Sequence, residues 1–377
     1  MAEPSPPHFI SVDDHVQEPP DLWTSRLSRS RWGDRIPHLE RAGDGRERWV
    51  ADGQELLGGC VARAGAFMPD RNREATCWDE VPPVAYVPSE RLKVMHAIGA
   101  EYSVLYPTVA GLAGEAFARL SDGALEQACT EAYNDWLIEE WGAGSPRFIP
   151  QCIVPTWSAD AAVSEIRRAV GLGHRGVIFP AGVMDFRAVP HLADPDWDPV
   201  WSICEKLDVP LCLHAGSSPV LQYTPSAGLP PARAEALNAM TKPVSSVYIL
   251  NLFLFGRILM RHPRLRVVFA ESALSWVTLD LEWSDHEADH DGLANEGYDL
   301  APSQLFHRQC YLNAWYDPVA PFVGYIGAGN ILWSANLPQA SSTWPNTRDA
   351  IDRCFQGVST EDLEQVLWKN AASLYRL

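Results

Sequence analysis

Short, nearly uninterrupted apolar runs recur along the chain, most ending at a polar residue and separated by stretches with three- and four-residue apolar spacing. The runs fall at 8–14, 103–107, 148–154, 176–180, 209–214, 265–271, 309–314 and 330–335. Continuous apolar runs of this length fit strands buried on both faces. Between them, 124–141 places Leu125, Ala128, Cys129, Ala132, Trp136 and Leu137 at helical spacing. The stretch 159–171 reads as a second helix closed by glycine, and 198–207 and 273–283 read as two more. Strands and helices alternating in this way predict an α/β fold of the (β/α)8 TIM-barrel type.

The 377 residues are read as one barrel domain, 1–377, lengthened by insertions at 24–90 after the first strand and 215–245 after the fifth. The first is rich in Arg, Gly, Trp and Pro, the second in Gly, Ser, Pro and Ala. Both leave the end of the barrel where chemistry is expected, which suits lids or substrate walls. A net charge of −18 and a pI near 5.0 disfavour nucleic acid and anionic membranes as partners. The polar, proline-rich start does not read as a signal peptide, and no apolar run is long enough to span a bilayer. Eight cysteines without paired spacing read as reduced core residues, and the expected location is cytoplasmic.

Candidate chemistry sits where the apolar runs stop. The first ends in Asp13-Asp14-His15, with Glu18 close behind. Residues two apart on a strand point the same way, so Asp13 and His15 can hold one ion from a single strand end. Carboxylate with imidazole suits zinc, iron or manganese. Alone, the tripeptide reads more readily as a solvated turn with capping acids. Three further runs end at His214, Glu271 and Asn336, and as a set the four endings follow the rule that barrels carry their chemistry at the C-terminal rim. His286-Glu287-Ala288-Asp289-His290 fits the H-E-x-x-H zinc-protease pattern, but its acidic surroundings mark a solvated helix end.

The opening Asp13-x-His15-x-x-Glu18-Pro19 resembles the amidohydrolase-related branch of the metal-dependent amidohydrolase superfamily, which includes aminocarboxymuconate-semialdehyde decarboxylase and resorcylate-type decarboxylases. Tyr133-Asn134-Asp135-Trp136, Pro210-Leu211-Cys212-Leu213-His214, Phe269-Ala270-Glu271-Ser272 and Ser341-Ser342-Thr343-Trp344-Pro345 are similar to its signatures. The resemblance implies a divalent metal, zinc first with iron or manganese as alternatives, held by Asp13, His15, His214 and Glu271. It implies hydrolysis or decarboxylation of a small carboxylic acid or amide, with Glu271 and Asn336 in catalytic positions. Arg233 and Lys242 are the candidates to hold the substrate carboxylate.

One departure stands out. The family has an aspartate ending strand 8, followed by an aromatic residue, proline and histidine; this chain has Asn336-Leu337-Pro338-Gln339. In the hydrolases that aspartate binds the metal and takes a proton from the attacking water. Asparagine offers a carbonyl oxygen but neither charge nor basicity. A second reading follows: an auxiliary metal-binding subunit of a hetero-oligomeric non-haem iron or manganese hydroxylase, its paralogous partner carrying the chemistry, as in a two-subunit 2-aminoisobutyrate hydroxylase. Either a homo-oligomer or a hetero-oligomer with such a subunit is expected.

Overall fold

The protein, seen in a computed structural model, is described over residues 8–71, 73–217 and 229–377. Its barrel strands are β1 (Phe9–His15), β2 (Ala100–Tyr106), β3 (Phe148–Pro150, resuming as Cys152–Ile153) and β4 (Val177–Ile178). They continue as β5 (Leu211–His214), β6 (Val267–Ala270), β7 (Cys310–Ala314) and β8 (Ile331–Trp333). Each expected run contributes one strand, and every ladder between them is parallel. Such strands are covered on both faces, which is why their sequences read as apolar runs rather than alternations. Strand β3 changes partner at Gln151: its first part pairs with β2 and its second with β4. A Cβ on Gly176 would stand 2.5 Å from Gln151 Oε1, so a larger residue there would displace the Gln151 side chain.

The barrel closes between β8 and β1 through side chains as well as backbone. Ser11 Oγ accepts the Ala335 amide at 2.8 Å and donates to Asp14 Oδ1 at 2.9 Å. Asp14 also accepts the Leu337 amide at 2.8 Å and the Ser103 hydroxyl at 2.6 Å. The His15 amide donates to the Leu337 carbonyl at 2.6 Å. All of these groups are buried, so the seam fixes the carboxyl ends of β1 and β8 beside each other.

Four expected helices are present as Gly123–Trp136, Ala159–Leu172, Asp198–Leu207 and Ser275–His290. Asp122 and Ser158 cap the first two by accepting amides of their opening turns. The second insertion is largely helical over its described residues. A helix, Pro231–Phe255, occupies much of it despite Pro243 in its interior, and its apolar second half packs Ile249, Leu250, Phe253 and Leu254 inward. Burial of that half offsets the cost of Pro243 in the helix interior. The part of the insertion at 218–228 lies outside the described residues.

The first insertion contains a small antiparallel sheet, His38–Arg41, Glu47–Ala51 and Gln54–Glu55. Its later part grips the loop after β8. Arg71 donates to the carbonyls of Trp344, Ala340 and Ser342 at 2.6, 2.9 and 2.8 Å, and Phe67 stacks on Trp344. Among the described residues, no helix is long and apolar enough to cross a membrane.

Candidate metal centre

Registration of the strands brings their polar ends to one level. His15 lies opposite Tyr106, and His214 lies opposite Ala270, the residue before Glu271. Asp13, His15 and His214 form a fully buried group whose ligand atoms all lie within 4.8 Å of one another. Asp13 Oδ1 is 3.4 Å from His15 Nε2 and 3.5 Å from His214 Nε2, and the two imidazoles meet edge to face at 5.2 Å.

The second nitrogen of each ring shows how the site is set. His15 Nδ1 stands 2.8 Å from the Pro107 carbonyl and His214 Nδ1 stands 2.8 Å from the Ala215 carbonyl. A carbonyl only accepts, so both Nδ1 atoms carry the proton and both Nε2 lone pairs are free to face inward. Backbone contacts of this kind orient metal-ligating histidines. The inward atoms, both Asp13 carboxylate oxygens and both Nε2, have no hydrogen-bond partner among the described residues although they are buried. Buried polar atoms are normally satisfied, because leaving them so costs about 1–3 kcal/mol each. Orphaned atoms converging from a carboxylate and two imidazoles are the donor set of a divalent cation, and these residues fit one.

Electrostatics agree. Burial pushes the Asp13 carboxyl up, but His214 and His15 together hold it well below the usual carboxylate range. Burial works against a charge on His214, yet Asp13 and Glu271 raise its pKa above the ordinary value. An anion thus persists at the bottom of the site without exposure to water.

Glu271 and Asn336 occupy the neighbouring rim. Both have left-handed backbones, with φ of 48° and 56°, which cost non-glycine residues energy and persist only where the surroundings demand them. Asn336 Nδ2 donates to Glu271 Oε1 at 3.3 Å and to Ser341 Oγ at 3.0 Å. Its Oδ1 is buried with no partner among the described residues. Lys242 of the Pro231–Phe255 helix reaches Glu271 Oε2 at 3.5 Å.

Glu271 lies beside the group of Asp13, His15 and His214: it approaches His214 from the Nδ1 side, at 3.9 Å, and is engaged by Lys242 and Asn336. Arg233 is exposed in the first turn of that helix, about 13 Å of helical rise before Lys242. Glu18, close in sequence to the ligand pair, turns away to accept the amides of Thr108, Val109 and Ala110. At the other motif, Glu287, His290 and Asp291 form a half-buried to exposed group on the outer surface, as its acidic setting predicts.

Several site residues were not singled out from the sequence. Ser11 and Asp14 join β1 to β8, and Arg91 donates to the His15 carbonyl at 2.8 Å from full burial. Glu115 accepts the amides of Leu112 and Ala113 and lies within electrostatic reach of His214. The adjacent acids of Asp13-Asp14 carried a usable signal: on a strand they face opposite ways, so only one can be a ligand.

Comparison with known proteins places this architecture. The gamma-resorcylate decarboxylase of Rhizobium sp. (strain MTP-10005) is 25% identical over 307 residues, covering 76% of this chain and 86% of that protein. An amidohydrolase structure from Mycobacterium avium subsp. paratuberculosis K-10 superposes with a TM-score of 0.80 at 21% identity, covering 98% of this chain and 99% of the other. A dihydroxybenzoic acid decarboxylase from Polaromonas sp. JS666, solved with manganese and the inhibitor 2-nitroresorcinol, gives 0.59 at 17% identity over 98% and 97%. A family model described as Amidohydrolase matches residues 75–377, a span that begins after β1 yet contains His214, Glu271 and Asn336. The chain, a parallel TIM barrel with a divalent-metal donor set at its strand ends, belongs to the amidohydrolase family.

Proposed function

We propose that this protein is a metal-dependent decarboxylase of a small aromatic carboxylic acid, with the whole of 1–377 forming one barrel domain. One buried apolar cluster running from Phe9 to Tyr375 supports the single-domain reading. Asp13, His15 and His214 would hold the metal, manganese or zinc, with the Asn336 carbonyl beside them. When bound, such an ion supplies Lewis acidity toward the substrate's oxygens. Lys242, the cation beside Glu271, would pair with the substrate carboxylate.

The single observation that carries the choice is Asn336. Hydrolysis needs a base to deprotonate water; neither Asn336 nor Gln339 can act as one in this pH range, and the Glu271 carboxylate is engaged by Lys242 and Asn336. Decarboxylation needs no activated water: one carbon–carbon bond breaks, CO2 leaves and the ring carbon takes a proton from solvent. The decarboxylase relatives support the same direction. The auxiliary-subunit reading draws no support from the relatives. The test is CO2 release from a panel of hydroxybenzoates, gamma-resorcylate first, by protein loaded with manganese or zinc. Turnover by the chain alone is expected. Hydrolysis of amides with no decarboxylation, or activity only with an added paralogous subunit, would overturn the proposal.

A further inference from the structure

We infer that Asn336 makes metal binding and anion binding at this site mutually dependent: the protein holds its metal tightly only when an anionic ligand is bound with it. The inference rests on the metal-centre reading above and concerns how that site is loaded.

The orientation of the amide is fixed by chemistry. A carboxylate only accepts hydrogen bonds, so the Asn336 nitrogen must face Glu271 Oε1, at 3.3 Å, and the oxygen must face away. The Ser341 hydroxyl, 3.0 Å from the same nitrogen, holds that setting. The next residue, Leu337, accepts the His15 amide on its carbonyl and donates its own amide to the Asp14 carboxylate, which puts Asn336 near the ligand pair on β1. Asn336 Oδ1 is buried and unpartnered among the described residues, as are the inward atoms of Asp13, His15 and His214. The donor group is two neutral imidazoles and one carboxylate, and the unpartnered Asn336 amide oxygen adds no charge to it.

Count the charge. His15 and His214 contribute none as ligands, Asn336 contributes none, and Asp13 contributes one negative charge. Of the other nearby acids, Glu271 faces Lys242 at 3.5 Å, Asp14 is offset by the buried Arg91, and Glu115 is turned to the amides of Leu112 and Ala113, its charge disfavoured by burial. A divalent cation in this cage keeps about one uncompensated positive charge inside a dry barrel mouth, where charge is poorly screened. An aspartate at position 336 would cancel that charge. With asparagine, the cancelling charge must come from the ligand, and by linkage each then raises the affinity of the other by the same factor. The site thereby selects anions, and a neutral ring of the same shape gains little from the metal.

The experiment measures manganese affinity by the electron paramagnetic resonance signal of free Mn(II), so its readout is independent of turnover. The unmodified protein is titrated alone, with 2,6-dihydroxybenzoate, and with resorcinol, the same ring without the carboxylate. Asn336→Asp is titrated in the same three ways. The expected result is tightening of about tenfold or more by the carboxylate and less than about threefold by resorcinol. In Asn336→Asp, metal should bind about tenfold or more tightly without any ligand, and the carboxylate effect should shrink to about threefold or less. Tight metal binding that ignores the carboxylate overturns the coupling while leaving the metal centre intact. So does an equal carboxylate effect in Asn336→Asp. No manganese or zinc binding under any of these conditions overturns both the coupling and the metal-dependent function beneath it. Asn336→Gln keeps neutrality, and should retain the selectivity for the carboxylate over resorcinol if it folds.

Discussion

Ser11 offers a sharp test of how the barrel places its site. Replacing it with alanine removes one buried oxygen that accepts the Ala335 amide at 2.8 Å and donates to Asp14 at 2.9 Å. The Ala335 amide would lose its acceptor inside the seam between β8 and β1, at a cost of about 1–3 kcal/mol for a buried donor left unpaired. Loss of a hydrogen bond to the Asp14 carboxyl adds about 1 kcal/mol, since Asp14 keeps the Leu337 amide and the Ser103 hydroxyl. Only the hydroxyl oxygen is removed while Cβ stays in place, so packing adds little. Destabilisation of about 2–4 kcal/mol is expected, read from the urea midpoint at unchanged m-value. Because Asp13 on β1 and Asn336 just after β8 flank the seam, manganese affinity should fall by about tenfold in the fraction that remains folded. Ser11→Thr, which keeps the hydroxyl, should recover most of both losses. A change below about 0.5 kcal/mol with unaltered metal affinity would refute the claim that this side-chain bridge closes the barrel and sets the metal site.

Other outcomes follow from the same structure. Replacing His286 and His290 together with alanine should leave metal content unchanged by elemental analysis, because that group lies on the outer surface away from the strand ends. His174 is held at about 4 by burial, against its ordinary 6.5, so the unfolded chain binds the extra proton first. Its share of stability is complete above pH 6.5 and should be lost by about 3 kcal/mol as pH falls toward 4. His174→Gln should flatten that part of the stability–pH curve, and an unchanged slope would contradict it. Lys242→Ala should raise KM for a carboxylate substrate about tenfold while changing kcat far less, as expected for loss of uniform binding. An equal fall in kcat at constant KM would place Lys242 in the chemical step instead.

Much of the fold could be read before the structure because the strands are parallel and buried on both faces. Their apolar runs, from Phe9 to Trp333, stand out from the helices by period alone. The Pro231–Phe255 helix was illegible for the opposite reason: Pro243 and a polar first half hide it, and burial of Ile249, Leu250, Phe253 and Leu254 makes it. At the site, Asp13 and His15 were readable because two residues on one strand share a face, and His214 because it ends an apolar run. Glu271 was readable as the end of an apolar run, but its partners were not: its left-handed backbone, φ 48°, sets the side chain beside Lys242 and Asn336, which lie far from it in sequence. The seam contacts of Ser11 and Asp14 join residues more than three hundred positions apart, so no local pattern carries them.

The central claim is that a single divalent metal sits where Asp13, His15 and His214 converge. Crystals grown with Mn(II) and diffracted on both sides of the manganese absorption edge test it directly. The account predicts one strong anomalous peak about 2.0–2.3 Å from His15 Nε2, His214 Nε2 and an Asp13 oxygen, lost in His214→Ala. Well-ordered crystals with no peak there, or with the peak at Glu287, His290 and Asp291, would contradict it.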